Sequence, residues 1–218
     1  MSVIEAFERY AQEYDAWFDR NPAAYEAELR AVKAALPARG LGLEIGIGTG
    51  RFAAPLGIRV GIDPSQAMAA IARARGLEVI IARAEQLPFS PRQFDYALMV
   101  TTICFVDDLA ASFREAARVL KPGGILVVGF IDRNSPLGKQ YAVRKERNSF
   151  YRHARLYSVE EVLSNLRQAD FTDVIVSRTV FDFPGAGADT PAREHRARRG
   201  SFVVLKARRQ TRKNDGRR

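Results

Sequence analysis

Five short apolar runs alternate with segments of helical periodicity, and this alternation restricts the possible fold more than any other feature of the sequence. Each run is rich in Val, Ile or Leu without strict polar alternation, which is typical of strands buried on both faces. The runs cover residues 41–46, 58–63, 77–82, 95–100 and 125–131. Strands that alternate with helices predict a parallel sheet covered by helices on both sides.

The two ends of the chain follow other patterns. Apolar residues recur at helical spacing from Ile4 to Phe18, which predicts a leading amphipathic helix. Towards the C-terminus, Ser158 with Glu161 three residues later is the signature of a capping box. Two further β-like runs, 173–181 and 201–207, have no helical segment between them. They predict an antiparallel pair that closes the sheet.

The positive charge of the chain is concentrated in two segments. The net charge is +9, and residues 133–155 and 206–218 each carry a net +6, which leaves −3 for the remainder of the 218 residues. A basic balance is compatible with nucleic-acid binding. The clustering favours two local features on a mildly acidic enzyme instead.

The composition argues against several classes of protein. No apolar run approaches the ~20 residues of a membrane span, and the acidic N-terminal segment does not resemble a signal peptide. One cysteine excludes an internal disulfide, and with only two histidines it makes a structural zinc site unfavourable. We therefore expect a cytoplasmic protein of one domain without a metal.

A glycine-rich turn follows the first predicted strand. Gly46, Gly48 and Gly50 alternate in "EIGIGTG", at a strand end where parallel sheets bind ligands. A dinucleotide site favours G-x-G-x-x-G, but here the third glycine comes one position early and Arg51 occupies the dinucleotide position. The acidic Glu44 disfavours a pyrophosphate and suits a ligand that carries an ammonium or sulfonium group.

Two further strand ends carry candidate ligand contacts. Asp63 ends the second strand in "VGIDPS", where a carboxylate can accept both hydroxyl groups of a ribose. Pro64 and Ser65 read as a helix start, so an N-cap role for Asp63 is the alternative. Ala84 and Glu85 belong to "ARAEQLPF" after the third strand, for which an ordinary loop is the alternative.

These segments occur in an order that resembles a known family. "EIGIGTG", "GIDPS", "AEQLPF", "FDYALMVTTICFVDD" and "REAARVLKPGGILVV" are similar to the class I S-adenosylmethionine-dependent methyltransferases, closest to the ubiquinone/menaquinone-biosynthesis type, or type 11. The resemblance covers roughly residues 10–130. It implies a Rossmann-like, doubly wound, seven-stranded sheet with an antiparallel last strand, S-adenosylmethionine as cofactor and methyl transfer as activity.

The resemblance also implies positions for the cofactor. The amino acid group would lie at the glycine turn, the ribose at the end of the second strand, the adenine at the Ala-Glu pair and the methionine portion after the fourth strand, with the leading helix closing over the cofactor. The implied cofactor-binding residues are Tyr10, Tyr14, Glu44, Gly46, Gly48, Asp63, Ala84, Glu85, Met99 and Thr101.

Two departures from the family pattern affect the site. Many relatives carry Asp where this chain has Arg83, so adenine contacts must come from the backbone or Glu85. Many carry a histidine pair where this chain has Cys104 and Phe105, which removes the obvious imidazole base. The candidates near the reacting centre are Thr101, Cys104, Asp132 and Tyr141, each with a structural role as the alternative.

The predicted domain spans residues 1–207, with capping helices in 1–35 and a disordered basic tail in 208–218. Residues 133–157 form a predicted lid insertion, because this connection is longer than usual and combines positive charge with aromatic residues. We expect Arg144 and Arg152 to bind a carboxylate or phosphate of the acceptor. A solvated basic helix face is the alternative.

Three functions remain compatible with the sequence. The first is methyl transfer to a small-molecule acceptor, and the second is RNA or protein methylation guided by the basic segments. The third is an NAD(P)-binding oxidoreductase or a binding module without catalysis. The G-x-G-x-G spacing and the "AEQLPF" segment count against the third function.

Overall fold

The fold is built from one sheet and the helices that flank it. The computed structural model describes residues 2–144, 150–179 and 200–211, so parts of the predicted lid, the loop before the last strand and the end of the basic tail lie outside the described residues. The helices are α1 Val3–Arg9, α2 Ala11–Arg20, α3 Pro22–Ala35, α4 Ala53–Leu56, α5 Gln66–Ala74, α6 Leu109–Val119, α7 Pro136–Arg144 and α8 Val159–Gln168. The strands are β1 Gly42–Ile45, β2 Val60–Asp63, β3 Glu78–Ile81, β4 Phe94–Val100, β5 Leu120–Ile131, β6 Phe171–Arg178 and β7 Phe202–Arg209.

The seven strands form a single sheet in the order β3-β2-β1-β4-β5-β7-β6. Strands β1 to β5 pair in parallel, and β7 is antiparallel to both β5 and β6. The predicted Rossmann-like, doubly wound sheet with an antiparallel last strand is confirmed. The strand order reverses between β1 and β4, and open α/β sheets bind their ligands at such a reversal.

Side-chain caps set the starts of three flanking helices. The Ser65 hydroxyl accepts a hydrogen bond from the Met68 N–H at the start of α5, and the Asp108 carboxylate accepts one from the Ala111 N–H at the start of α6. The predicted capping box of Ser158 and Glu161 is present at α8. These caps satisfy helix N–H groups that have no partner within the helix.

Two strands extend further than their sequence patterns predicted. Strand β5 begins at Leu120, five residues before the apolar run, and a register shift between Phe94 and Tyr96 of β4 accommodates its first residues. Strand β7 continues to Arg209, so the predicted tail from residue 208 begins inside the sheet. Pairing of Arg208 with Ile125 holds this end of β7, although two arginines in succession gave no strand signal.

Hydrophobic side chains fill a layer on each face of the sheet. One layer joins α6 and α8 to the sheet through residues such as Phe113 and Val162. The other joins α2, α3 and α5 to the opposite face through Phe18, Val32 and Ala69. Burial of each such side chain contributes roughly 1.5–3 kcal/mol, which fixes the orientation of the sheet edge where the site lies.

Charged contacts fasten the N-terminal helices to the rest of the domain. Glu8 of α1 accepts hydrogen bonds from the N–H groups of Gln66 and Ala67 at the start of α5. A carboxylate at a helix N-terminus is favoured by the helix dipole as well as by the hydrogen bonds. This contact holds α1 close to the end of β2. Within the part of the chain that the structure describes, no helix is long and apolar enough to cross a membrane.

Candidate active site

A first cavity of about 210 Å³ lies at the carboxyl ends of β1, β2 and β4. Seven of the ten predicted cofactor residues line it: Tyr14, Gly46, Gly48, Asp63, Ala84, Glu85 and Thr101. The sheet brings them together because parallel strands end at the same edge. We refer to this space as the cofactor cavity.

The glycine turn needs its glycines for two physical reasons. Gly46 and Gly48 have φ angles of 73° and 55°, in the left-handed region that favours glycine. A Cβ atom on Gly46 would lie 2.4 Å from the Thr102 side chain. On Gly48 it would stand 3.7 Å from the Tyr14 ring, which also lines the cavity. Gly46 therefore has no room for a side chain, and the left-handed backbone favours glycine at both positions.

Asp63 links the glycine turn to the end of β2. One carboxylate oxygen accepts a hydrogen bond from the Gly48 N–H at 2.8 Å, and the other accepts from the Ser65 N–H at 2.9 Å. Burial raises the pKa of Asp63 to about 6, although these two hydrogen bonds oppose the shift. Ser65 is the residue that caps α5. Each oxygen of Asp63 keeps acceptor capacity for a ribose hydroxyl.

Glu44 carries a second buried carboxylate near the turn. Its Oε2 atom has no hydrogen-bond partner among the described residues, and burial raises its pKa well above the usual value. The charge of Asp63 raises it further. Two buried acidic groups of which one raises the pKa of the other suit a ligand with positive charge, as a sulfonium and an ammonium group provide. S-adenosylmethionine, which carries positive charge, fits these two acidic groups better than a pyrophosphate does.

Arg51 fastens α2 to the glycine turn. Its guanidinium pairs with Asp15 at 2.9 Å and with Asp19 at 2.7 Å. Arg75 reaches the same Asp15 carboxylate at 2.8 Å. Burial alone would raise the pKa of Asp15, but the hydrogen bonds from both guanidinium groups outweigh it and lower the pKa. Arg51, which stands where a dinucleotide-binding motif has its third glycine, is therefore part of the contact between the glycine turn and helix α2.

The end of the cavity that follows β3 is lined by Arg83, Ala84, Glu85 and Asp107. The Glu85 carboxylate accepts hydrogen bonds from the N–H groups of Asp107 and Asp108 at 2.7 and 3.3 Å, so it holds the loop after β4. Arg83 forms ion pairs with Glu85 and Asp107. Arg83, at the position where an Asp was expected, thus lies between two carboxylates, those of Glu85 and Asp107.

Three predicted cofactor residues lie outside the wall of this cavity. Met99 packs in the hydrophobic layer beside α6 and α8, because its neighbours in β4 alternate between the two faces. The Tyr10 ring contacts the Phe150 ring at 6.1 Å between centroids. Glu44 lies buried in β1. Val100 and Thr101, next to Met99, do line the cavity.

A second cavity of about 350 Å³ adjoins the first, and we call it the aromatic cavity. Eight of its thirteen described lining residues are aromatic: Tyr14, Trp17, Phe18, Phe52, Phe105, Tyr141, Phe150 and Tyr151. Helix α2, helix α3 and the segment after β5 supply most of its wall. Tyr14, Thr101 and Phe105 line both cavities, so the two spaces meet at these side chains.

Comparisons with known proteins agree with this geometry. Residues 43–128 match the sequence model of the methyltransferase domain family. A solved structure from Thermotoga maritima, described as a SAM-dependent methyltransferase and possible histamine N-methyltransferase, is 45% identical with a TM-score of 0.87. The match covers 95% of this chain and 100% of that one. The chain belongs to the class I S-adenosylmethionine-dependent methyltransferases.

Two curated relatives extend the comparison. An uncharacterized protein of Methanocaldococcus jannaschii is 44% identical over 178 residues, which are 82% of this methyltransferase and 86% of the relative. Demethylmenaquinone methyltransferase of Chlorobaculum tepidum is 36% identical over 110 residues, or 46% of each chain. The predicted likeness to the type 11 branch is confirmed, and the methyltransferase uses S-adenosylmethionine as its cofactor.

The four candidates for the reacting centre of the methyltransferase occupy different surroundings. Thr101 lines both cavities and has a left-handed φ of 51°, with its N–H donating to the Gly129 carbonyl oxygen at 2.7 Å. A left-handed threonine is strained, and such strain concentrates at functional sites. Tyr141 lines the aromatic cavity, and burial raises its pKa to about 12. This pKa keeps its hydroxyl protonated at neutral pH.

Cys104 and Asp132 line neither cavity. Burial raises the pKa of Cys104 to about 12, and its thiol donates to the Thr101 carbonyl oxygen at 3.2 Å. Asp132 forms an ion pair with Arg178 at 2.9 Å. Both side chains therefore have structural partners, which matches the alternative reading of each. Within the described residues, no group of His, Cys, Asp and Glu is arranged to hold a metal ion.

The two predicted acceptor-binding arginines do not contribute to the described wall. Arg152 is exposed on a short 3₁₀ turn, Tyr151–His153, and lines neither cavity. The side chain of Arg144 lies outside the described residues. From the predicted lid, it is the aromatic residues Tyr141, Phe150 and Tyr151 that reach the aromatic cavity.

Sequence reasoning missed Glu28, the acidic residue that α3 contributes to the aromatic cavity. A signal was present. Glu28 lies one turn after Ala24 and next to Ala27, both of which are buried, and one turn before Val32. It is therefore an acid on the buried face of an amphipathic helix, a position that acids seldom occupy without a function or a partner.

Proposed function

We propose that this methyltransferase transfers the methyl group of S-adenosylmethionine from the cofactor cavity to a small-molecule acceptor in the aromatic cavity. The supporting observation is that Tyr14, Thr101 and Phe105 line both spaces. The volume of about 350 Å³ lies in the range of small-molecule sites.

The residues of the cofactor cavity would divide the cofactor among them. Asp63 would accept the ribose hydroxyls, and Glu44 would balance the positive charge near the glycine turn. The backbone at Ala84 would border the adenine, since the Glu85 carboxylate already accepts two backbone hydrogen bonds. Tyr14 and Thr101, which line both cavities, would stand between cofactor and acceptor.

Methyl transfer makes modest chemical demands on the protein. The bound cofactor supplies a methyl group that its sulfonium charge already activates. The protein aligns the acceptor, which can lower the barrier by ~7–11 kcal/mol. The aromatic rings around the second cavity would also exclude water from the reacting atoms. The described residues 133–144 and 150–157 would help to cover the acceptor through Tyr141, Phe150 and Tyr151.

The Thermotoga maritima protein supports an acceptor of this size. Its description names histamine, a small molecule, and its structure matches 95% of this chain. RNA or protein methylation is the alternative that the basic segments suggested. Arg152 is exposed and lines neither cavity. Residues 212–218 of the basic tail lie outside the described structure. No described contact favours that alternative.

A ligand-binding assay followed by a transfer assay tests the proposal. S-adenosylhomocysteine should raise the melting temperature of the protein, whereas NAD should not. Purified protein with radiolabelled S-adenosylmethionine should then label small-molecule acceptors, histamine among those screened, and leave bulk RNA unlabelled. Stabilisation by NAD alone, or labelling of RNA but of no small molecule, would contradict the proposal.

A further inference from the structure

The charge inside the aromatic cavity comes from the described residues of α2 and α3. Glu13, Arg20 and Glu28 are its charged lining residues. Glu13 and Arg20 are exposed at the mouth, and the Arg20 guanidinium donates to the backbone carbonyl of Glu13 at 3.3 Å. Glu28 is only partly exposed and lies on the buried side of α3. Among the described lining residues, the interior of the cavity therefore carries a single acidic group, Glu28.

Glu28 forms no hydrogen bond or ion pair with the residues that the structure describes. The groups that face it are the hydroxyls of Tyr141 and Tyr151, whose pKa values its charge helps to raise. Burial raises the pKa of Glu28 itself to about 8. In the free protein the group is therefore largely protonated near neutral pH, and a carboxyl group buried without a hydrogen-bond partner still destabilises the fold, so its position requires an explanation outside folding.

The aromatic rings that line the same cavity as Glu28 favour a particular kind of ligand. The Tyr141 and Tyr151 rings lie 4.4 Å apart between centroids, and the Trp17 and Phe18 rings lie 5.3 Å apart. Faces of aromatic rings attract organic cations, with Trp the strongest. A carboxylate adds a charge-assisted hydrogen bond to an N–H group. Rings and a carboxylate together recognise an ammonium group better than either alone.

We propose that the methyl acceptor is an organic amine, held in the aromatic cavity by the Glu28 carboxylate and the surrounding rings. This inference rests on the proposed function, since it names the substrate class of the same site. An anionic acceptor would meet the acidic Glu28 inside the cavity, while Arg20, a cation of the described wall, lies at the mouth. A neutral apolar acceptor would leave that carboxylate without a partner.

Glu28 would also handle a proton. A protonated amine has no lone pair for the methyl group, so the ammonium nitrogen must first lose one proton. The proton moves from that nitrogen to a carboxylate oxygen of Glu28, which leaves a neutral amine and a neutral carboxylic acid. A pKa of about 8 suits this exchange near neutral pH, where an acceptor of unperturbed pKa would hold the proton poorly.

The chain provides its own reporter for binding. Trp17 is the only tryptophan of the sequence, and it lines the aromatic cavity. Its emission can be followed while three matched probes are added to protein saturated with S-adenosylhomocysteine. The probes are 2-phenylethylamine, 2-phenylethanol and 3-phenylpropionate, which share a ring and differ in charge. This readout needs no turnover.

The amine should change the Trp17 emission in a saturable manner and bind more tightly than the alcohol or the acid. Glu28→Gln should weaken amine binding by about tenfold or more, since one charge-assisted hydrogen bond is lost, and should leave binding of the alcohol unchanged. Glu26→Gln is the matched control, because Glu26 is exposed on the same helix and pairs only with Arg30 among the described residues. It should bind all three probes as the wild type does.

Several outcomes would overturn the amine proposal. They are tighter binding of the acid or the alcohol, no response to any probe, and equal amine affinity in the Glu28→Gln variant. Calorimetry with S-adenosylhomocysteine alone separates this failure from failure of the proposed function. Intact cofactor binding with no preference for the amine rejects only the amine class, whereas loss of cofactor binding in the wild type rejects the methyltransferase assignment of the site.

Discussion

The cofactor cavity and the aromatic cavity meet at three side chains but are built in different ways. Backbone groups at strand ends shape the first, as when Asp63 accepts hydrogen bonds from the N–H groups of Gly48 and Ser65. Side chains from α2, α3 and the segment after β5 enclose the second. Backbone geometry requires particular residues, whereas an apolar wall requires only bulk. One cavity can therefore stay constant in a fold while the other changes with the substrate.

The largest effect is expected from the substitution of Asp63 in the cofactor cavity. Asp63→Ala should weaken S-adenosylhomocysteine binding by at least about tenfold, because charge-assisted hydrogen bonds of ~1.5–3 kcal/mol to ribose hydroxyls are lost. Isothermal titration calorimetry gives the dissociation constant. Glu78→Gln, at an exposed acid of β3, is the control and should bind normally. An unchanged dissociation constant in Asp63→Ala would leave Asp63 with a capping role alone.

The second prediction tests how independent the two cavities are. Arg51→Gln removes the ion pairs that join α2 to the glycine turn. We expect a loss of about 1–3 kcal/mol in the free energy of unfolding, since the charged hydrogen bonds to the partly buried Asp15 are lost. Cofactor affinity and Trp17 emission should change together, because α2 contributes to both cavities.

The exposed pair of Arg30 and Glu26 provides the control for that experiment. Arg30→Gln breaks an ion pair that is largely exposed, so its effect on unfolding should stay within about 0.5 kcal/mol. Urea denaturation measures both variants. If Arg51→Gln altered cofactor affinity and left the Trp17 environment unchanged, the cavities would be more independent than the shared helix implies.

The third prediction concerns the stability of the aromatic cavity as the pH changes. The folded protein raises the pKa of Glu28 from 4.5 to about 8, so the folded state holds a proton that the unfolded state releases. The contribution of Glu28 to the free energy of unfolding is therefore fully present below its unfolded pKa of 4.5 and is lost as the pH rises through about 8. Scanning calorimetry should give Glu28→Gln the same melting temperature as the wild type near pH 4 and a higher melting temperature near pH 8.5. Equal melting temperatures at both pH values would contradict the burial of Glu28.

The smallest effect is expected from the C-terminal end of the chain. Removal of residues 212–218 should change neither the melting temperature nor cofactor affinity, because β7 ends at Arg209 and the last described backbone contact joins the Gln210 N–H to the Asp170 carbonyl oxygen. RNA affinity of the full chain at about 0.15 M salt is the companion measurement. Measurable affinity that the truncation abolishes would revive the nucleic-acid alternative.

The sequence predicted the fold because buried parallel strands and helix caps leave local patterns. The strand order could follow only from the family resemblance, since apolar runs do not show which strands are neighbours. The ends of β5 and β7 were missed because Pro, Gly and Arg give no strand signal, although pairing across the sheet stabilises them there. Tertiary context overrides local preference at such positions.

The candidate site was predictable to the extent that it depends on the backbone. Gly46, Gly48 and Asp63 could be named because a left-handed turn and a strand-end carboxylate restrict the residue type. The contribution of Glu28 could not be paired with that of Tyr151, because more than a hundred residues separate them and only the folded chain brings both to one cavity. Arg152 was predicted from charge alone, and charge does not show which way a side chain faces.

Because Cys104 is buried, the rate at which its thiol is alkylated measures local opening of the domain. Its thiol is the only one in the sequence, and it lies against the Thr101 carbonyl oxygen beneath the point where the two cavities meet. With a pKa of about 12 and almost no exposure, it can be alkylated only when this part of the domain opens. The rate of Cys104 labelling by a thiol reagent therefore reports how often the centre of the site opens. A ligand that holds Thr101 in place should lower this rate.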